Sequence, residues 1–310
     1  MTLTMSPEQI AAEAALLDEA ERTRTQIRQT TSVYPTMTMD DAYAIQSAWL
    51  DIKVERGEAV VGHKIGLTSR AMQAAMKIDT PDSGFLTADM VFEPNTTIDA
   101  ARFTDPKLEI ELAFVLATDL AGTDLTIDDV LDATDSVTPS IELIAARSFR
   151  VDAETGRTRT VLDTISDNAA DAGIVCGGRP VGPREVDLRW IGAMGSRNGV
   201  IEETGLAGGV LGHPATGIIW LARRYAEQGG DLDATNQYGR TLTILASKCG
   251  LTPTVRLLAD LRADVHKPRD DGSHPLHGAA QEGHPDTARL LLELRADINA
   301  QDDGGQTACW

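Results

Sequence analysis

Cysteine is scarce in this chain: Cys176, Cys249 and Cys309 are far apart, odd in number and without a CxxC spacing. That pattern excludes a disulfide framework and a zinc site, and it reads as reduced thiols in a cytosolic protein. Long apolar runs are also missing. Nothing approaches the roughly 20 consecutive apolar residues that a membrane helix needs. The opening MTLTMSPEQI lacks a basic stretch followed by an apolar one, so no targeting segment is expected there. Positive charge is short as well: 28 Lys and Arg against 47 Asp and Glu leave a net charge of -19. Nucleic acid and anionic membranes would repel such a surface, whereas metal cations and cationic partners remain open. What remains is an ordinary soluble composition, 42% hydrophobic and 24% charged, long enough for one large domain or two.

Local signals divide the chain. Ser6, Pro7 and Gln9 form an N-cap, a first helical residue and a capping-box partner. A second helix starts in TMDD (Thr38 to Asp41), after which Ala42, Ile45, Trp49 and Ile52 recur at helical spacing until Gly57. Strand-like segments dominate from about Val60 to Asn198, interrupted by short helices such as the one opening at TIDD (Thr126 to Asp129). Asn198-Gly199 is a two-residue hairpin signal, and a helix is expected from Pro214 to Gln228. The mixture has no βαβ rhythm, so the class is α+β.

The texture then changes. Asp231, Asp264 and Asp297 open three similar stretches at a period of 33 residues, the ankyrin period. DGSHPLHGAAQEGHPDTARLLLELRADINA resembles an ankyrin repeat throughout, the unit before it more loosely, and the third stops at Trp310. The expected organisation is therefore one domain over 1–228, helical to about 57 and β-rich over 60–228, followed by an all-α segment over 231–310 with two repeats and a truncated third. Such repeats cover one another's apolar faces and commonly bind protein partners.

The stretch DPKLEIELAFVLA raises the chemical question. As a strand it puts Leu108, Ile110, Leu112, Phe114 and Leu116 on one face, expected to be buried, and Glu109 and Glu111 on the other. Two carboxylates whose bases are about 7 Å apart repel unless something offsets them, and a hard divalent cation does so. Glu142, in TPSIELIAAR, is a third acid among aliphatic residues. Spacing alone also fits a solvated sheet face. Lys64 follows an apolar strand, Asp82 stands in the Pro/Gly-bearing IDTPDSGFL, read as a loop, and Ser166 precedes Asp167 and Asn168. Taken singly, these read first as a surface cation, a turn residue and a local cap. His63 and His213 read as structural.

Longer segments weigh the balance: EAERTRTQIR, DDAYAIQSAW, VVGHKIGLTSRAMQ, IDTPDSG, ETGRTRTVLDTISDNAADAG, DLRWIGA and RNGVIEETG. From about Ala11 to Glu227 they resemble the hydratase/decarboxylase branch of the fumarylacetoacetate hydrolase superfamily, from aromatic meta-cleavage catabolism. The resemblance implies a mixed β-sheet roll with flanking helices and a homo-oligomer. It implies Mg²⁺ or Mn²⁺ on Glu109, Glu111 and Glu142, Lys64 and Asp82 in catalysis, and Ser166 against a small oxo-dicarboxylate. The implied reaction is hydration of a 2-hydroxy-2,4-dienoate of the 2-oxohept-4-ene-1,7-dioate type, with the sister decarboxylation and a non-catalytic ankyrin interaction protein as alternatives. Two departures stand out: Ala145 replaces an acid of the family pattern, and ankyrin units stand where the family has its last strands.

Overall fold

Burial of an N-terminal helical layer against the sheets organises the first part of the molecule. The computed structural model describes residues 3–228, 240–260 and 263–308, and these divide into two compact units, one of 1–52 and 60–227, the other of 53–59 and 228–310. Asp231 and the Gly229 junction, like Cys309 and Trp310, lie outside the described residues. Cys176 and Cys249 are free thiols.

The first unit opens with α1 (Pro7–Thr23), capped by Ser6 and Gln9 in the expected box, then α2 (Thr30–Val33) and α3 (Met39–Glu55). Apolar spacing on α1 and α3 buries Ala14, Leu17, Ala42, Ile45 and Trp49, with Phe85, Met90 and Ile165 in the same cluster. Trp49 meets Phe85 edge to face at 6.0 Å, a geometry favoured by the ring quadrupoles. The start of α3 is tied down by Asp41, whose carboxylate accepts from the amides of Thr4 (2.9 Å), Met5 (3.0 Å) and Thr38 (2.7 Å). Asp41→Ala therefore strands three amides, and an unfolding titration is expected to show a loss of about 2 kcal/mol. A loss under about 0.5 kcal/mol would mean that water replaces the carboxylate.

Next come β1 (Val60–Gly66), α4 (Arg70–Met76), β2 (Asp82–Thr87), β3 (Val91–Phe92), β4 (Lys107–Leu116), α5 (Ile127–Ala133), β5 (Thr134–Ile144), α6 (Val161–Ser166), β6 (Asp171–Cys176), β7 (Gly192–Arg197), β8 (Val200–Leu206) and α7 (Pro214–Gln228). β1 and β2 form an antiparallel pair, as do β7 and β8, and the main sheet has the order β3-β6-β5-β4. Its β3–β6 pair is parallel and its other pairs antiparallel, so the mixed sheet and flanking helices agree with the α+β reading. Asn198 (φ 54°) and Gly199 (φ 81°) make the β7–β8 turn. The paired positive φ values match the right-handed twist of the hairpin.

Three sequence readings need correction. β4 is an edge strand, and the apolar face expected to be buried is largely open: Leu108 is 66% exposed and Ile110 45%. The alternation is real, but an edge strand has sheet cover on one side only. Asp82 is not in a loop. It is the first residue of β2, 2% exposed, and pairs in register with Gly66. Lys64 likewise lies inside β1 rather than beyond it.

The second unit contains α8 (Leu242–Lys248), α9 (Thr252–Asp260), α10 (Pro275–Gln281) and α11 (Pro285–Glu293). Its core includes Val255, Leu258, Leu276, Ala279, Leu290 and Leu291. The repeat period has a visible cause. Asp264 Oδ1 accepts the amide of His266 at 3.0 Å, and Asp297 Oδ1 accepts that of Asn299 at 2.9 Å, the same Asx turn in successive units. Among the described residues no helix is long and apolar enough to cross a membrane.

Candidate metal and active site

Register brings the three glutamates together. In the antiparallel β4–β5 pair Glu109 stands directly opposite Glu142, and Glu111 opposite Ser140. Residues two apart on a strand share a face, so Glu109, Glu111, Glu142 and Ser140 all point to one side. One carboxylate oxygen from each glutamate lies within 4.8 Å of the others. β5 is an interior strand, and Glu142 is only 6% exposed, whereas Glu109 and Glu111 on the edge strand keep contact with solvent.

Like charges directly opposite one another destabilise a sheet, and the site records that strain. Burial, then the neighbouring Glu142, raises the Glu109 carboxyl above its ordinary range. Burial, then Glu142 and Glu109, pushes Glu111 up to about 7. Three hard oxygen donors in mutual repulsion suit Mg²⁺, Mn²⁺ or Ca²⁺, not a soft metal. The residues present fit such an ion.

The β1–β2 pair supplies the rest. Lys64 Nζ lies 3.3 Å from Glu142 Oε1, with the two side chains 11% and 8% exposed. The pair is close but not aligned as a hydrogen bond, since Glu142 Oε1 has no hydrogen-bond partner. Burial works against the Lys64 charge, but Glu142, Asp82, Asp171 and Glu109 outweigh it and raise the ammonium above its ordinary range. Burial raises the Asp82 carboxyl, against the pull of Lys64, and its Oδ1 is buried without a hydrogen bond.

A methyl group at Gly66 would overlap Asp82 Oδ1 and lie 2.9 Å from Lys64 Nζ. Glycine is needed there for close approach. Gly66→Ala should displace both groups with an unchanged circular dichroism spectrum, and if the two take part in catalysis it should lower kcat about 100-fold, as a 1 Å shift of a reacting group can. Wild-type activity in that variant would remove Lys64 and Asp82 from the chemistry.

Ser166, the last sequence candidate, is completely buried at the end of α6 and donates its hydroxyl to the Leu162 carbonyl at 3.0 Å. Its neighbours are scaffold. The Asn168 side chain accepts from the Phe85 amide at 2.8 Å and donates to the Phe85 carbonyl at 3.0 Å, fixing β2. Two buried groups escaped sequence reasoning. Ser140 has an unpartnered hydroxyl beside the glutamates, and Asp171 has an unpartnered Oδ2, with burial and then Glu142 pushing its carboxyl up to about 7. Only the strand register could have marked Ser140. Asp171 was visible as an acid opening an apolar run.

Known proteins resemble this chain along most of its length. The 2-oxo-hept-4-ene-1,7-dioate hydratase of Escherichia coli is 53% identical over 221 residues, covering 71% of this chain and 83% of that protein. The 2-keto-4-pentenoate hydratase of Paraburkholderia xenovorans is 36% identical over 230 residues, covering 74% and 83%. The solved structure of 4-oxalocrotonate decarboxylase from Pseudomonas putida G7, complexed with magnesium and adipate, superposes with a TM-score of 0.68 at 34% identity over 74% of this chain and 84% of that one. A family model described as ankyrin repeats (3 copies) matches residues 216–302.

Proposed function

The chain belongs to the hydratase/decarboxylase branch of the fumarylacetoacetate hydrolase superfamily, and we propose that it is a Mg²⁺-dependent hydratase of aromatic catabolism. Its substrate would be a 2-hydroxy-2,4-dienoate with a second carboxylate, of the 2-oxohept-4-ene-1,7-dioate type. The observation that carries this reading is the meeting of three glutamates from two paired strands, with Lys64 against Glu142, in a chain 53% identical to a hydratase of that compound.

Glu109, Glu111 and Glu142 would hold the cation, Mg²⁺ or Mn²⁺. When bound, it supplies Lewis-acid polarisation of the substrate's oxo and carboxylate oxygens. The remaining work falls to the chain's own side chains. Lys64, kept charged by the acids around it, attracts the anionic substrate and stabilises electron density gathering on the 2-oxygen. Asp82, buried with a raised pKa and a free oxygen, suits the transfer of a proton between that oxygen and the diene carbon. Water then adds to the conjugated ketone. Substrate contact by Ser166 belongs to the same proposal and requires its hydroxyl to turn away from the Leu162 carbonyl.

The test is the loss of dienoate absorbance on adding purified protein, with and without Mg²⁺. Metal-dependent loss with a hydrated product supports the reading, and absence of any Mg²⁺-dependent change would sink it. Release of CO₂ would instead favour the decarboxylase reading, motivated by the 34% identical structural neighbour. For the ankyrin segment we propose a protein partner, and for the whole chain a cytoplasmic homo-oligomer. If the ankyrin match marks only an interaction protein, the absorbance assay stays flat while a partner is still retained.

A further inference from the structure

Helix α7 touches the antiparallel β1–β2 pair that carries Lys64 and Asp82, and the segment leading into β2, through individual side chains. Trp220 Nε1 donates to Thr80 Oγ1 at 3.1 Å, and the Tyr225 hydroxyl lies 2.9 Å from His63 Nδ1. A third side chain on this helix, Arg224, is held differently. Its guanidinium carbon sits 3.5 Å from the centroid of the Tyr43 ring and 5.8 Å from that of Trp220. Tyr43 in turn accepts the amide of Ser83 at 3.3 Å, one residue from Asp82. Burial raises the Tyr43 hydroxyl, with the charges of Arg224 and Asp82 acting on it in opposite senses.

Arg224 is half-buried. Among the described residues it makes no ion pair and no hydrogen bond, in a chain with 47 acidic residues. Stacking occupies the faces of a guanidinium and leaves its N–H edges free. Those edges match the two oxygens of a carboxylate.

We infer that Arg224 is the specificity-determining residue of this site and takes the substrate's distal carboxylate, selecting dicarboxylic over monocarboxylic oxo-acids. The inference rests on the hydratase reading for its substrate class. One carboxylate of a diacid would lie at the glutamates and the other would extend past Asp82 and Tyr43 to Arg224. A monoacid of similar length would leave the guanidinium unused. Tyr43 and Trp220 act as positioning residues that hold the fork in place.

The experiment is calorimetric binding of adipate and of hexanoate, each with saturating Mg²⁺, to the full chain and to Arg224→Gln and Arg224→Lys. Loss of a charge-assisted carboxylate contact predicts adipate affinity about 30-fold weaker in Arg224→Gln, with hexanoate unchanged. Arg224→Lys should recover part of the loss, since charge remains but the fork does not. The inference is overturned if wild type does not prefer adipate, if adipate affinity survives Arg224→Gln, or if both ligands weaken equally with an unchanged thermal melt. Equal weakening would mean that Arg224 acts on the site as a whole and does not read the distal carboxylate. Diacid preference without turnover of the dienoate would retire the hydratase reading and leave the selection by Arg224 standing.

Discussion

Glu109→Gln is expected to lower cation-dependent turnover by at least about a thousandfold, some 4 kcal/mol of transition-state stabilisation, without destabilising the metal-free fold. Most substitutions that abolish activity at a half-buried site also cost stability. This one should not, because Glu109 faces Glu142 directly across the β4–β5 pair and that opposition is unfavourable in the absence of a cation. The amide removes one charge and keeps the shape, so the metal-free protein should be unchanged or stabilised by about 0.5–1 kcal/mol. Activity assays with and without Mg²⁺, together with urea unfolding in a chelator, read both halves. Retained turnover would mean that Glu109 holds no cation. Marked destabilisation would mean that its carboxylate already has a partner.

The second large effect concerns the scaffold behind the site. Arg147 is 2% exposed and pairs through Nε with Asp167, which is fully buried. Its Nη2 donates to the Asp167 carbonyl at 2.8 Å and to the Asp171 carbonyl at 2.9 Å, and its guanidinium lies 5.0 Å from the Trp49 ring centre. Arg147→Met removes the cation and leaves the buried carboxylate with Arg159, at 2.9 Å, and the backbone amide of residue 147, at 2.8 Å. Breaking a buried pair by deleting one partner costs about 3–5 kcal/mol, and chemical denaturation should show a loss of that order. Activity should fall with it, because the clamped segment contains Asn168, which fixes β2 and therefore Asp82. A loss below about 1 kcal/mol would show that Arg159 and the residue 147 amide suffice for Asp167.

Much of this was legible in the residues. The capping box at Ser6 and the helix start at Thr126 form as read, because both depend on side chains a few residues apart. The hairpin at Asn198-Gly199 depends on two. The glutamate pair was visible from strand alternation, and Glu142 from its aliphatic surroundings. Features that depend on register were hidden. Nothing local says that Ser140 faces Glu111, and nothing local says that β4 is an edge strand whose Leu108 and Ile110 stay open. Pro81 and Gly84 made IDTPDSGFL look like a turn. The structure gives Gly84 another cause: a Cβ there would lie 2.6 Å from the Asn168 carbonyl oxygen.

Three consecutive residues without a glycine, Asn168, Ala169 and Ala170, take positive φ values of 52°, 50° and 65°. Each such residue costs roughly 1–2 kcal/mol, so only surrounding structure can impose it. Arg147 Nη2 holds the carbonyls of Asp167 and Asp171 on either side of the segment, and Phe85 holds the Asn168 side chain within it. Several stretches that carried the family resemblance are likewise scaffold rather than chemistry: Gln46 bridges the Ser83 and Ile165 carbonyls, and Asp163 accepts from Thr31 and Thr160.

The central claim is that Glu109, Glu111 and Glu142 hold one hard dication, and calorimetric titration with Mg²⁺ tests it most directly. Glu111, raised from 4.5 to about 7 without metal, keeps a proton between those values that the unfolded chain has lost. The metal-free protein should therefore gain stability as pH falls from about 8 towards 5, while protons compete with the cation over the same interval. The account predicts one saturable site at pH 8, release of protons on binding, weaker affinity at pH 6 and no binding by Glu109→Gln. No saturable uptake of Mg²⁺ or Mn²⁺ at pH 8, or undiminished uptake by Glu109→Gln, would contradict it.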